Sequence, residues 1–288
     1  MRAELMSDVR AYSTRVAPLL AADPVAHHPL ATALHGVLRT PVVGQNPADL
    51  WALAVEGDAV VGVAVHRPPG PAYVGLMSDT AAGALVGLLA AVRPDLPGVH
   101  GPQPTVDGFV SRWEEQAYRR AVLERATGVW VLDAGALDEA DSAPSATGTA
   151  RPAGEDDLPL LRDWGVADHR EGALLWQSGG RPVAMAAVSP PVCGVAELSY
   201  VYTPPELRRQ GYGRAAAGAA SRHALAAGAE RCLAYADEAT TATGSLYAEV
   251  GYRRAGEMRR HLLLPSATDR PAGLSMTGTT TAAPRHAV

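Results

Sequence analysis

The sequence predicts a mixed α/β protein in two domains, each a twisted sheet flanked by helices. Three observations lead there. The chain has 288 residues, 47% of them hydrophobic, enough to bury two ordinary cores. Strand-like and helix-like runs alternate through the second half, the pattern of a sheet with at least one parallel crossover. Between the halves lies a small, polar and acidic stretch, Ala136 to Thr147, with neither period, which reads as a linker.

In the first half, Leu50 to Val55 and Ala59 to His66 are apolar runs separated by Glu56, Gly57 and Asp58, a hairpin with a Gly-Asp turn. A third strand is predicted at Tyr73 to Met77 and a helix at Asp79 to Val92. After the Pro and Gly cluster Pro94 to Pro104 come an amphipathic helix near Val106 to Arg120 and a strand-like run at Gly128 to Leu132. This half shows no Gly-rich loop, paired carboxylates or metal-spaced histidines. His27 and His28 are adjacent, so on a helix they point about 100° apart, and a surface role is expected for both.

In the second half, strands are predicted at Gly148 to Arg151, Ala173 to Gln177, Arg181 to Val188, Ala196 to Thr203, Arg231 to Ala236 and Tyr252 to Leu264. Helices are predicted near Asp156 to Trp164, Gly213 to Ala227 and Thr240 to Val250. The segment from Pro265 onward, rich in Pro, Thr, Gly and Ala, has little to bury and is expected to be disordered.

Composition narrows the function. With 30 acidic against 25 basic residues, no lysine and no basic stripe, nucleic acid is a poor partner. Cys193 and Cys232 are too few and unpatterned for a disulfide framework or a zinc site, and no metal is expected. Charges interrupt Met1 to Leu20, so no secretory signal is read there. Ala81 to Val92 is too short to span a bilayer, which takes about 20 residues. A soluble, cytoplasmic protein is the expectation, as monomer or homodimer.

The informative stretch is Glu197 to Ala220. A strand ends at Thr203, two prolines follow, and Arg208, Gly211 and Gly213 appear as Arg-x-x-Gly-x-Gly where an alanine-rich helix begins. Glycines let backbone approach a phosphate closely, and the open N–H groups and dipole of a helix start attract it. Arg208, Arg209 and Arg214 add charge. The run lacks the Gly-Lys-Ser/Thr of a P-loop, and the third glycine of a dinucleotide fingerprint falls on Ala216. Pro205, Glu206, Arg208, Gly211 and Gly213 resemble the acyl-CoA pyrophosphate loop of the GNAT superfamily of N-acetyltransferases. A second match, Leu246, Tyr247, Gly251 and Tyr252, is similar to that superfamily's late helix and following turn, although Thr240 stands where an asparagine is common.

The resemblance implies a GNAT-like mixed sheet at 148–265, a linker at 136–147 and a disordered tail at 266–288. It also implies a degenerate GNAT-like domain at 1–135, so that two tandem domains carry one cofactor site. It implies transfer of an acetyl group from acetyl-CoA, as cosubstrate, to an amine of a small molecule or peptide. CoA would be held by backbone at Val201, Tyr202 and Thr203 and by the loop Arg208, Arg209, Gln210, Gly211, Tyr212, Gly213 and Arg214. Tyr247 inherits the role of protonating the leaving thiolate, or else is a packing residue. Glu197, by strand parity with Ser199, Val201 and Thr203, is the candidate base, or else a solvated carboxylate. His223 and His261 read as surface residues and Cys232 as core. Two other readings stand beside this one, a CoA-binding regulatory protein without turnover and a tandem enzyme similar to mycothiol synthase.

Overall fold

The computed structural model describes residues 1–39, 46–117, 119–136, 146–166 and 172–265. Most of the expected linker and the whole tail from 266 lie outside them. Contacts divide the chain into two compact units.

The first unit opens with β1 (Arg2–Met6), α1 (Val9–Ala22) and α2 (His28–Arg39). The hairpin β2 (Leu50–Glu56) and β3 (Ala59–His66) turns at Gly57, whose φ of 59° suits glycine. Then come β4 (Ala72–Val74), α3 (Asp79–Val92), β5 (Gly98–Pro102) and α4 (Gln103–Ala117). Strand β2 is apolar from Leu50 to Val55 because both its faces are covered. Ala52 and Ala54 face α3 and α4 through Leu85, Leu89, Phe109 and Trp113, while Trp51 meets Tyr12 of α1 at 5.2 Å between ring centroids.

In the second unit come β7 (Thr149–Pro152), a 3₁₀ turn at Glu155–Asp157, α5 (Leu158–Asp163), β8 (Ala173–Ser178) and β9 (Arg181–Val188). They are followed by β10 (Val195–Tyr202), α6 (Tyr212–Ala226), β11 (Arg231–Asp237) and α7 (Thr241–Val250). Ala215 to Ala220 of α6 are all buried; their small side chains bring the helix close to the sheet.

Two long strands, β6 (Arg120–Asp133) and β12 (Arg253–Leu264), complete these sheets crosswise. The first unit is Met1–Ala126 plus β12 from Glu257 onward, and the second is Thr127–Gly256. Met258 to Leu262 of β12 pair antiparallel with β5, and Thr127 to Asp133 of β6 pair antiparallel with β11. Strand order is therefore β1-β2-β3-β4-β5-β12 in one unit and β6-β11-β10-β9-β8-β7 in the other. The division falls inside β6 and β12, not at Ala136 to Thr147, because hydrogen bonding, not linker composition, decides which sheet a strand joins. Both units repeat one order: strand, helical segment, three antiparallel strands, helix, parallel strand, helix, and a last strand donated from elsewhere in the chain.

Several predicted elements are corrected. Arg120 opens a strand and does not close a helix. The Pro and Gly cluster conceals β5. His27 and His28 are buried at 2% and 1% exposure, not on the surface. The start of α2 is pinned to β4: Tyr73 Oη donates to the Ala26 carbonyl at 2.8 Å, and Gly75 leaves room for the His27 ring. His28 also precedes buried Ala31 by one helical turn. His261 is half-buried, whereas His223 is exposed. Among the described residues no helix is long and apolar enough to cross a membrane, and no three metal-binding side chains converge.

The buried histidines predict acid sensitivity. Burial pushes His28 down to about 4, and burial with the Arg260 charge does the same for His100. A depressed folded value means that the unfolded chain binds more protons between pH 6.5 and 4, so stability is lost as pH falls through that window. His28 should contribute a loss of about 2 kcal/mol between pH 7 and 5, and half-buried His100 less. Urea unfolding at the two pH values checks this; an unchanged midpoint would mean that the rings accept protons in place.

Candidate active site

The site is built where β10 leaves β11. The two strands pair in parallel only from Val195 with Arg231 to Leu198 with Ala234. Beyond that, Tyr235 to Asp237 stay bonded to β6, while β10 continues beside β9 alone. At the parting, β10 carries a bulge between Ser199 and Tyr202, with Tyr200 in the left-handed region at φ 51°, an uncommon state for a non-glycine residue. The bulge overturns the expected parity. Val201 turns to the α6 core while Tyr200 and Tyr202 pack on the opposite face with Leu161 and Met185, so Val201 no longer shares a side with Glu197.

The chain then folds into the loop. Pro204 is buried, a 3₁₀ turn spans Pro205–Leu207, and Arg208 Nε donates to the Thr203 carbonyl at 3.1 Å. Arg208 therefore staples the loop to the strand, and the Thr203 carbonyl is already engaged. Arg209 and Gly211 adopt positive φ, 65° and 82°, and Gln210 between them does not. Such alternation gathers backbone N–H groups into an anion-binding concavity. Gly211 is the N-cap of α6, no side chain caps the helix, and its first turn holds no acid. The first helical bond runs from Ala215 N–H to the Gly211 carbonyl, so the amides of Tyr212 and Gly213 precede the ladder. A Cβ on Gly213 would stand 3.1 Å from Thr203 Oγ1 and 3.4 Å from Leu246. A pyrophosphate group fits this cradle of backbone donors with Arg208, Arg209 and Arg214 around it.

The matching place in the first unit is closed. The Ser78 side chain accepts from Ala81 N–H at the start of α3, and Asp79 puts a carboxylate in its first turn. Met77 N–H donates to Thr105 Oγ1 at 3.2 Å, and Gly101 lies directly on the Val74 carbonyl, where a Cβ would clash. An anion there would meet a filled cap and a like charge.

Tyr247 is 4% exposed on α7, against Trp130 at 6.4 Å and Tyr252 at 5.5 Å between ring centroids. Burial, and then the Glu197 charge, push its phenol up to about 12. Glu197 is half-buried, not a solvated edge carboxylate, and burial raises it above the ordinary carboxylate range. Its N–H donates to Ser189 Oγ at 2.9 Å. Tyr235 of β11 is held protonated by burial and by the same carboxylate. One acid and two phenols are thus electrostatically linked around the parting strands. Tyr235, Trp130 and Tyr200 went unremarked in the sequence; the signal for Tyr235 was its strand parity with Leu233, the partner of Glu197. Thr240 caps α7 without a side-chain hydrogen bond. Cys232 is fully buried, and burial lifts its thiol to about 11, as suits a core residue.

Fold and site together define a class: an open mixed sheet whose parallel strands part beside an uncapped, glycine-led helix. Residues 138–252 match the model of the acetyltransferase (GNAT) family, a family whose fold serves acyl transfer. The chain resembles a GCN5-related N-acetyltransferase from Sphaerobacter thermophilus, with 17% identity over 96% of this chain and 99% of that one and a TM-score of 0.57. It also resembles a GCN5-related N-acetyltransferase from Kribbella flavida, with 18% identity, 83% and 95% coverage and a TM-score of 0.55. A tandem GNAT protein from the clavulanic acid biosynthesis pathway aligns at 12% identity over 92% and 99% of the two chains, with a TM-score of 0.52. A search of curated proteins finds no relative.

Proposed function

We propose that the second unit transfers an acetyl group from acetyl-CoA to a primary amine, and that the first unit is a GNAT-like repeat without a cofactor site of its own. The observation that carries this reading is the parting of β10 from β11 beyond Leu198 and Ala234, with Val201 and Thr203 lying against Gly213 of the cradle. Acetyl-CoA supplies an activated acyl group as a thioester. The loop Arg208 to Arg214 holds its pyrophosphate, and the backbone of Val201 and Tyr202, free of β11, faces its pantetheine arm. Glu197 accepts a proton from the acceptor ammonium, and the neutral amine forms the C–N bond as the C–S bond breaks. Tyr247 Oη–H donates to the departing thiolate, for which a phenol held near 12 stays protonated at every working pH.

The raised Glu197 carboxyl sets the sign of the pH dependence. Activity requires the ionised form, so kcat/KM should fall as pH drops through a value above 4.5. Glu197→Gln should abolish that acid limb and lower turnover by about 10²–10⁴-fold. Tyr247→Phe should lower kcat more than CoA affinity and keep the limb. Free-thiol release with acetyl-CoA and an amine panel, beside calorimetric CoA titration, measures all three. An acid limb surviving in Glu197→Gln assigns the base elsewhere, and CoA binding without turnover on any amine favours the regulatory reading.

A further inference from the structure

The face of the second sheet opposite α6 carries an aromatic floor at the point where β10 and β11 part. Trp164, just after α5, and Tyr202 of β10 lie 5.3 Å apart at 40° between ring planes. Tyr200 packs on the same cluster, over Leu161 and Met185. All three aromatic residues are half-buried, so each keeps part of its surface for a ligand. The bulge produces this arrangement. A regular strand would turn Tyr200 and Tyr202 toward the α6 core with Leu198, and the bulge with its left-handed φ at Tyr200 moves both to the opposite face. Such backbone strain persists where surrounding structure holds it for a purpose. Glu197, one step before buried Leu198, points to this same face, as does Ser199, whose Oγ donates to the Ala187 carbonyl at 3.5 Å.

We infer that the acceptor is an arylalkyl primary amine, its ring laid on Trp164, Tyr200 and Tyr202 and its amine directed at Glu197. This deepens the amine-acetylation reading and rests on it. The chemistry of the floor separates acceptor classes. A sugar amine needs several donors and acceptors, and these three rings present flat apolar faces with two phenol groups between them. A polyamine carries no ring, so the three aromatic side chains offer it no stacking partner. A monoamine carrying a ring satisfies both: stacking for the ring, one carboxylate for one ammonium.

The test separates binding from turnover. With the full chain saturated with CoA, 2-phenylethylamine, n-butylamine, spermidine and glucosamine are titrated by calorimetry. The aryl amine should bind about tenfold or more tighter than each of the others, the scale of a ring stack with its buried area. Trp164→Leu should erase that preference, and Trp164→Phe should restore most of it. Should Trp164→Leu lose its thermal transition, Tyr200→Ala serves instead. Equal affinity for aryl and alkyl amines, or a preference that persists in both substituted proteins, overturns the inference. If the aryl amine binds selectively yet no acetyl transfer occurs, the acetylation reading fails while the recognition of aryl amines stands.

Discussion

A chain ending at Gly256 should fail to fold its first unit, although it retains every residue from Met1 to Ala126. Strand β5 would lose its five partners on β12, Met258 to Leu262, and keep only β4 beside it. The core would lose Leu263, 2% exposed and bonded through its N–H to the Pro97 carbonyl. Asp107 would lose Arg259, which reaches both its carboxylate oxygens at 2.8 Å. Removing this half-buried strand with its ladder, its core leucine and its ion pair is a large loss against the roughly 5–15 kcal/mol by which domains are stable. The mirror deletion, a chain beginning at Ala146, would strip β11 of its seven partners Thr127 to Asp133 and remove Leu132 and Trp130 from the second unit. Cutting at the linker therefore cannot isolate a working half. Urea unfolding followed by circular dichroism checks this, with a chain ending at Pro265 as control. A Gly256-terminated protein with a full cooperative transition for both units would overturn it.

Gly211→Val and Gly213→Val should each weaken CoA binding by about tenfold or more, by different routes. At Gly211 a Cβ would touch only Ala146, at 3.6 Å, so space is available and conformation is not: a β-branched residue at φ 82° is a steric outlier. At Gly213 the backbone is ordinary, but a side chain would press on Thr203 and Leu246 and cover the helix start. Losing one charge-assisted bond from a backbone amide to phosphate costs about 1.5–3 kcal/mol, or roughly 10–10²-fold in affinity. Gly211→Asn, which tolerates the left-handed region, should recover part of the loss. Affinity unchanged in both valine variants would move the anion site elsewhere.

Local patterns in the sequence translated well into local structure. The Gly57 hairpin, the helix Asp79–Val92 and the glycine-led start of α6 follow from turn chemistry and periodicity within a few residues of themselves. What escaped notice depends on distant partners. Strand β5, Gly-Val-His-Gly-Pro, has the composition of a turn and becomes a strand because β4 and β12 flank it. The bulge at Tyr200 leaves no mark in the apolar run Val195 to Tyr202, so alternation counted through it assigned Val201 to the wrong side. The exchange of β6 and β12 is a matter of pairing alone. The burial of His27 needed the small residue Gly75, far along the chain, to be seen against it.

The exchanged strand also sets a timetable for synthesis. The last partner of β5 begins at Glu257, about 150 residues after β5 itself. At ribosomal rates of about 5–20 residues per second, the first unit waits roughly 8–30 s with that edge unpaired. An unpaired edge invites association between nascent chains. The composition of β5 suits that wait: two glycines and a terminal proline in five residues make a poor template for a passing strand. What reads as a weak strand in the finished protein is a protective one while the chain is still being made.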